Sequence, residues 1–360
     1  MGKVKADKAG AVRSSQLLNR DALETYLRSK WSVTNADLEI LQFPSGFSNL
    51  TYLLRFNQKE YVLRRPPHGA KIKSGHDMSR EYKILSSLSK GFDKVPTPYL
   101  FCEDEGVIGA PFYVMERIEG VILRATMPLD ELPGADEMAV IAKHLLASFV
   151  EIHQLDFKAL GLGELGRPDG YTTRQVEGWT RRYLNAKTDT YKELEFAFEW
   201  LSNNIPDSQN AALIHNDFKY DNLILSGNDG YKVKAVLDWE MATLGDPLMD
   251  LGTTLGYWIQ DSDPEFVKAN QLNLTTLAGN PKRRDLVKWY SEQNSIDTSN
   301  IVFYYAFGLF KIAVIVQQIY HRYQKGLSAD ERFKSLNKVV EIYGIMAYQA
   351  IQKNDIEDLF

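Results

Sequence analysis

The sequence predicts an α+β protein of two lobes, a small antiparallel sheet crossed by one helix and then a larger, mainly helical part. Three observations lead there. Residues 38–118 carry short runs of β-branched, aromatic and leucine side chains broken by turn residues, with a single helical repeat among them. From residue 119 onward, apolar side chains recur mostly at helical spacing. Within that helical part, three short apolar runs alternate with polar turns rich in Asp, Asn and His.

The elements follow in order. Residues 38–65 are interrupted by Pro44-Ser45-Gly46 and by Asn57-Gln58-Lys59, as expected of strands joined by hairpins. Between residues 76 and 90, Met78, Tyr82, Leu85 and Leu88 lie on one helical face, and Gly91 supplies a stop. Residues 99–102 and 112–118 read as further strands, and Glu119-Gly120 marks the turn that closes the first lobe. Helices are expected over 136–154, 173–186, 191–203 and 283–293 and through the C-terminal third, with short strands at 212–215, 223–225 and 233–237. The resulting division is a mobile tail over 1–20, a first lobe over 21–118 and a second over 119–360.

Bulk composition narrows the function classes. With 44% hydrophobic residues in 360, the chain can bury a sizeable core. A net charge of -5 lacks the basic excess of a general nucleic-acid binder, so no nucleic-acid partner is expected. The only cysteine, Cys102, excludes an internal disulfide and suits a reducing compartment. Lys3, Lys5, Lys8 and Arg13 are followed by no apolar core, so the start does not read as a secretory signal. The most apolar run, residues 301–316, is shorter than a usual membrane span and contains Lys311, so it reads as a buried helix. A cytoplasmic protein without a membrane partner is the expectation.

The strongest signal is Ile214-His215-Asn216-Asp217-Phe218-Lys219-Tyr220-Asp221-Asn222, followed by Val236-Leu237-Asp238-Trp239-Glu240 and Gly245-Asp246-Pro247. Each half leaves an apolar strand. His, Asp and Asn also cluster in ordinary turns, because their side chains hydrogen-bond the backbone. Two such clusters in order, behind a small sheet, point further. Phosphoryl transfer needs a carboxylate near an acceptor hydroxyl and oxygen ligands for Mg²⁺ on a triphosphate, and Asp217, Asn222 and Asp238 are groups of that kind.

In these motifs the chain resembles the aminoglycoside phosphotransferase family of the protein-kinase-like superfamily, and the agreement covers both lobes. The resemblance implies a kinase-like fold and an enzyme that uses ATP and Mg²⁺ to phosphorylate a hydroxyl group. It implies Asp217 as catalytic base or acceptor-orienting residue, Asn222 as a magnesium ligand and Asp238 as the main one. Asn216 stands where the family usually has glycine, a departure that bears on the backbone shape of the loop. His215 is read as holding the loop in preference to moving a proton. An Asp before proline, as Asp246 is, readily caps the helix that follows, and Asp246 and Asp250 are both assigned structural roles first.

The kinase pattern also places a phosphate-binding cation on a strand, paired to a helix glutamate. Arg64 in Tyr61-Val62-Leu63-Arg64 and Glu81 in Ser79-Arg80-Glu81-Tyr82 take those positions, arginine replacing the expected lysine. Strand alternation lets only one of Arg64 and Arg65 face the cleft, and Arg64 is preferred. In the turn Phe43-Pro44-Ser45-Gly46-Phe47-Ser48-Asn49, backbone amides, Ser48 and Asn49 are candidates to meet a phosphate, although an ordinary hairpin explains the same letters. Residues 113–118 resemble the hinge of the kinase fold. Backbone groups of Glu116 and Ile118 would then bind adenine, with Met115 behind the ring.

For the acceptor, residues 167–183 collect Arg174, Gln175, Trp179, Arg181, Arg182 and Tyr183, which either line a pocket or form an amphipathic helix with its aromatics in the core. Lys71 and Lys73 lie in a loop suited to steering a polyanion. The chain further resembles the phosphotransferase-like domains associated with acyl-CoA dehydrogenases, through Tyr61-Val62-Leu63-Arg64-Arg65-Pro66-Pro67, Arg80-Glu81-Tyr82 and Arg174-Gln175-Val176. That implies a small hydroxylated substrate, with a hydroxyacyl-CoA as one candidate. The alternatives are a nucleotide-binding pseudokinase or regulatory module and, with less support, a metal-dependent hydrolase.

Overall fold

The computed structural model describes residues 8–34, 37–43, 49–67, 77–207, 210–227, 229–327 and 330–360. Strands β1 (Leu38–Gln42), β2 (Leu50–Phe56), β3 (Lys59–Arg65), β4 (Pro98–Cys102) and β5 (Phe112–Glu116) form one antiparallel sheet in the order β1-β2-β3-β5-β4. Helix α1 (Arg20–Trp31) and the short α3 (Glu105–Ile108) cover one face, burying Leu23, Leu27 and Ile108 with Tyr52, Leu54, Leu63 and Val114. Helix α2 (Met78–Leu88) covers the other, where Met78, Ile84, Leu85 and Leu88 join Leu53, Val62, Tyr113 and Met115. Successive strand side chains point to opposite faces, so each of these strands feeds two apolar clusters.

Residues 8–19 correct the expectation of a tail over 1–20. Gly10 exchanges two backbone hydrogen bonds with Gln42 at 2.9 and 2.8 Å, and Tyr52 donates from its hydroxyl to the Gln16 carbonyl at 2.8 Å. The exposed edge of β1 offers unpaired backbone groups, and this segment satisfies them. The strand expected over 112–118 ends at Glu116, where the chain leaves the sheet.

The second part contains α4 (Ala135–Gln154), α5 (Tyr171–Ala186), α6 (Lys192–Asn203), α7 (Pro247–Gly256), α8 (Glu265–Lys268), α9 (Arg283–Asn294), α10 (Ile301–Gln324) and α11 (Leu336–Lys353). Between α6 and α7, β6 (Ala212–Ile214) pairs with β9 (Thr243–Gly245), and β7 (Leu223–Leu225) pairs with β8 (Val233–Val236). The α+β, two-lobed architecture read from the sequence is the architecture observed. Helix α10 runs for 24 residues, longer than the apolar run suggested, and is long and apolar enough to cross a membrane. Here it is a core helix, packed against α5, α6, α7 and α11.

Helices α7 and α10 cross closely enough that their backbones touch. A Cβ added at Gly308 would lie 1.9 Å from the Gly252 carbonyl oxygen, and one at Gly252 would lie 2.0 Å from that of Tyr304. Only glycine permits such an approach. The crossing sets the floor on which the loop after β6 rests.

Candidate active site

The site lies between the sheet and the helical lobe. Its first anchor is Arg64, near the end of β3. The strand turns Arg64 toward α2 and Arg65 away, where Arg65 donates to the carbonyls of Pro66 and Ile108 at 3.0 and 2.8 Å. Arg64 Nη1 donates to Glu81 Oε1 at 2.8 Å, and Nη2 to Asp238 Oδ1 at 3.0 Å. Burial works against the Arg64 charge, but Glu81, Asp238 and Glu240 hold its pKa well above the usual value. Burial pushes the Glu81 carboxyl up, and Arg64 opposes the rise. Glu81 is only 1% exposed, so it lies behind Arg64 and positions that guanidinium without lining the cleft.

A cleft opens in front of Arg64, between the sheet and the loops of the helical lobe. Asn49, Arg64, Met115, Glu116, Ile118, Asn222 and Asp238 all line it, together with Asp221 and Arg124. Asn49 Nδ2 donates to Glu240 Oε2 at 2.7 Å, which ties the start of β2 to the helical lobe. The Glu116 N–H is committed to the Thr97 carbonyl at 2.8 Å, which removes it as an adenine donor. The Ile118 carbonyl accepts from Arg117 Nη1 at 2.9 Å. Ser48, Lys71 and Lys73 lie outside the described residues.

The loop after β6 is held from several sides. His215 and Asn216 donate their backbone N–H groups to the two carboxylate oxygens of Asp250, at 2.6 and 2.7 Å. His153 donates from Nε2 to Asp250 at 3.2 Å and accepts from the Tyr290 hydroxyl at 2.6 Å. Burial alone would raise the Asp250 carboxyl, yet His153 and the His215 amide keep it below its usual value. These contacts give Asp250 the structural role that the sequence reading assigned it. Asp246 caps α7 through the Leu248 N–H at 2.9 Å, while Asp250, one turn inside, pins the loop.

His215 keeps its orienting role in this geometry. Its Nε2 donates to the Leu237 carbonyl at 2.8 Å, and its Nδ1 accepts the Asp217 N–H at 3.2 Å. Asn216 adopts a positive φ of 68°. Asparagine is among the few residues besides glycine that enter this region readily, so the turn expected of a glycine is preserved.

Asp217 accepts from Lys219 Nζ at both carboxylate oxygens, 2.8 and 2.7 Å, and from Asn222 Nδ2 at 3.0 Å. Burial disfavours the Lys219 charge, but Tyr257, Asp217 and Asp221 hold its pKa well above the ordinary value. Asp238 stands in left-handed backbone, φ 66° and ψ 56°. Burial opposes its charge, while Arg64, Lys219 and His215 bring its pKa below the usual carboxylate value. Among the described residues no group of three His, Cys, Asp or Glu side chains converges to hold a metal alone. Asn222 and Asp238 nevertheless face one cleft, and Mg²⁺ is ordinarily held by one or two such oxygen groups plus substrate phosphates.

Some expected acceptor residues are otherwise engaged. Arg174 donates to the carbonyls of Arg167 and Asp169, closing the turn before α5. Trp179 and Tyr183 are buried, with the Arg182 guanidinium 4.5 Å from the Trp179 ring centre. The amphipathic-helix reading is the one observed. Lys219 and Tyr257 were missed, although Lys219 lies two residues after Asp217 inside the motif; Asp250 was read as structural and Lys311 as part of a buried helix, but their contacts with this loop were not foreseen.

Residues 39–286 match the family model described as the phosphotransferase enzyme family. The chain is 33% identical over 347 residues to mouse acyl-CoA dehydrogenase family member 10, covering 95% of this chain and 32% of that protein. It is 36% identical over 337 residues to chicken acyl-CoA dehydrogenase family member 11, covering 90% and 43%. The chain thus spans less than half the length of these relatives. A solved structure from Ralstonia eutropha, provisionally assigned as an aminoglycoside phosphotransferase, matches with TM-score 0.78 and 29% identity over 94% of this chain and 99% of that one. An aminoglycoside phosphotransferase in complex with ADP and hygromycin B matches with TM-score 0.58 and 15% identity over 92% and 98%, a likeness of fold. With the match running through both the sheet and the loops after β6 and β8, the chain belongs to the phosphotransferase enzyme family.

Proposed function

We propose that the chain transfers the γ-phosphoryl group of ATP to a hydroxyl of a small molecule in a magnesium-dependent reaction. The observation that carries this reading is the meeting of Arg64 and Asp238, 174 positions apart, at 3.0 Å in a cleft that Asn222 also lines. Met115 and Ile118 would take the adenine end, and Arg64 would grip phosphate oxygens through its planar fork. Asn222 spends its amide nitrogen on Asp217, which leaves its amide oxygen and the Asp238 carboxylate to take the cation. Bound Mg²⁺ would supply neutralisation of phosphate charge.

Asp217 would orient the acceptor hydroxyl and accept its proton as the new P–O bond forms and the bond to the ADP oxygen breaks, ADP leaving with the electron pair. Lys219 would first release Asp217. A hydroxyacyl-CoA is the favoured acceptor class, because the matched relatives are named as acyl-CoA dehydrogenase family members. A nucleotide-binding regulatory module is the second reading, favoured by the Arg64 contact that occupies Asp238. The test is product detection by mass spectrometry after incubation with ATP, Mg²⁺ and a panel of hydroxyacyl-CoAs, aminoglycosides, choline, sugars and homoserine. A phosphorylated hydroxyacyl-CoA is expected. Preference for another acceptor would overturn the acyl-CoA assignment alone, and ATP binding without any product would favour the regulatory reading.

A further inference from the structure

Lys311 is a lysine buried in the middle of α10, 2% exposed, beneath the loop after β6. Its ammonium donates to the Asn216 carbonyl at 2.8 Å, to Asn216 Oδ1 at 3.3 Å and to Thr253 Oγ1 at 3.4 Å. Three acceptors match the three N–H groups of a protonated lysine, one more than the neutral amine has. The Asn216 carbonyl belongs to the peptide whose N–H is that of Asp217, and that N–H is held by His215. Lys311 therefore grips one end of the peptide and His215 the other.

We propose that Lys311 is a positioning residue for phosphoryl transfer, its buried ammonium holding the Asn216–Asp217 peptide in the left-handed turn, so that the protonated form is the active one. The inference rests on the reading of Asp217 as the group that orients the acceptor. The charged groups around Lys311 are Asp250 on α7, Asp217 and Lys219 on the loop, and Arg182 on α5, with the Trp179 ring centre at 5.8 Å. Burial brings the Lys311 pKa down to about 8, with Lys219 and Arg182 adding to the fall and Asp250 and Asp217 resisting it. Loss of the proton on passing upward through that pH removes one of the three donors and the charge beneath the turn.

The test follows ATP turnover from pH 6.5 to 9.5 in wild type, Lys311→Met and Lys311→Arg, with nucleotide affinity measured by calorimetry. Wild-type kcat should fall with a midpoint of about 8. Lys311→Met should have kcat lower by ~10-fold or more and no alkaline limb with that midpoint, at nucleotide affinity within about twofold, because a misplaced catalytic group costs rate more than binding. Lys311→Arg should recover part of kcat and move the limb upward. A wild-type limb retained in Lys311→Met, or a kcat loss matched by an equal loss of nucleotide affinity, would overturn the proposal. The Asn216 and Asp217 amide resonances provide a readout independent of turnover: they should titrate near pH 8 in wild type and not in Lys311→Met, and their failure to do so overturns the role of Lys311. An enzyme that shows this titration but transfers no phosphate would sink the transferase reading and leave the grip on the loop standing.

Discussion

Asp238 combines two features that a purely structural residue rarely carries, a half-buried carboxylate facing the cleft and a left-handed backbone with φ 66°. For a non-glycine residue that conformation costs about 1–2 kcal/mol, and its persistence here depends on the surrounding contacts, Arg64 first among them. Asp238→Ala should lower magnesium-dependent ATP turnover by ~100-fold or more while circular dichroism stays native, since a removed ligand leaves phosphate charge uncompensated. Wild-type turnover in this variant would contradict the metal assignment. Arg64→Ala should raise the apparent KM for ATP by roughly tenfold, with Arg64→Lys recovering part, whereas Arg65→Ala should lower the melting temperature and leave KM near wild type. A silent Arg64→Ala would refute the phosphate contact. Arg64 was legible because strand alternation is local. Asp250 and Lys311 were not, because each meets its partner across 34 and 95 positions, and nothing in the sequence reports such a meeting.

At the level of elements, the site depends on the crossing of α7 and α10, which carry Asp250 and Lys311 to the same loop. Gly308→Ala puts a methyl group 1.9 Å from the Gly252 carbonyl oxygen, so the helices must separate. The expected loss is about 1–3 kcal/mol of stability, typical of overpacking, seen as a lower melting temperature and a larger relative fall in turnover than in nucleotide affinity. Gly163→Ala, where a Cβ meets nothing within 4 Å, should be nearly neutral and serves as the control. An unchanged melting temperature for Gly308→Ala would show that the crossing relaxes freely. Apolar periodicity located α2, α4 and α6 well, since each buries one stripe. It missed α1, and it undercounted α10, whose last two turns are amphipathic and so drop out of an apolar run.

Across the whole molecule, the two lobes meet through polar contacts that converge on one segment. Arg64, Asn49 and Arg80, all from the first lobe, reach Asp238, Glu240 and the Glu240 carbonyl in the second. The division into a sheet lobe and a helical lobe could be read from the change of period near residue 119, but the polar seam between them required the fold. A nucleotide that binds this seam should raise the melting temperature by mass action, by about 2.7 kcal/mol of added stability at 100 times its dissociation constant. That gain should appear in wild type and Asp217→Asn and shrink in Arg64→Ala; an equal gain in all three would place the nucleotide elsewhere.

The most direct test of the central claim, that this cleft is a phosphoryl-transfer centre with Asp217 acting on the acceptor, is ATP turnover by Asp217→Asn beside wild type, with Mg²⁺ and the best acceptor. The amide keeps the shape of the side chain and cannot take the proton. Turnover should fall by ~100-fold or more while calorimetric nucleotide affinity stays within about twofold of wild type. Equal turnover in the two proteins, or a loss of nucleotide binding as large as the loss of rate, would contradict the account.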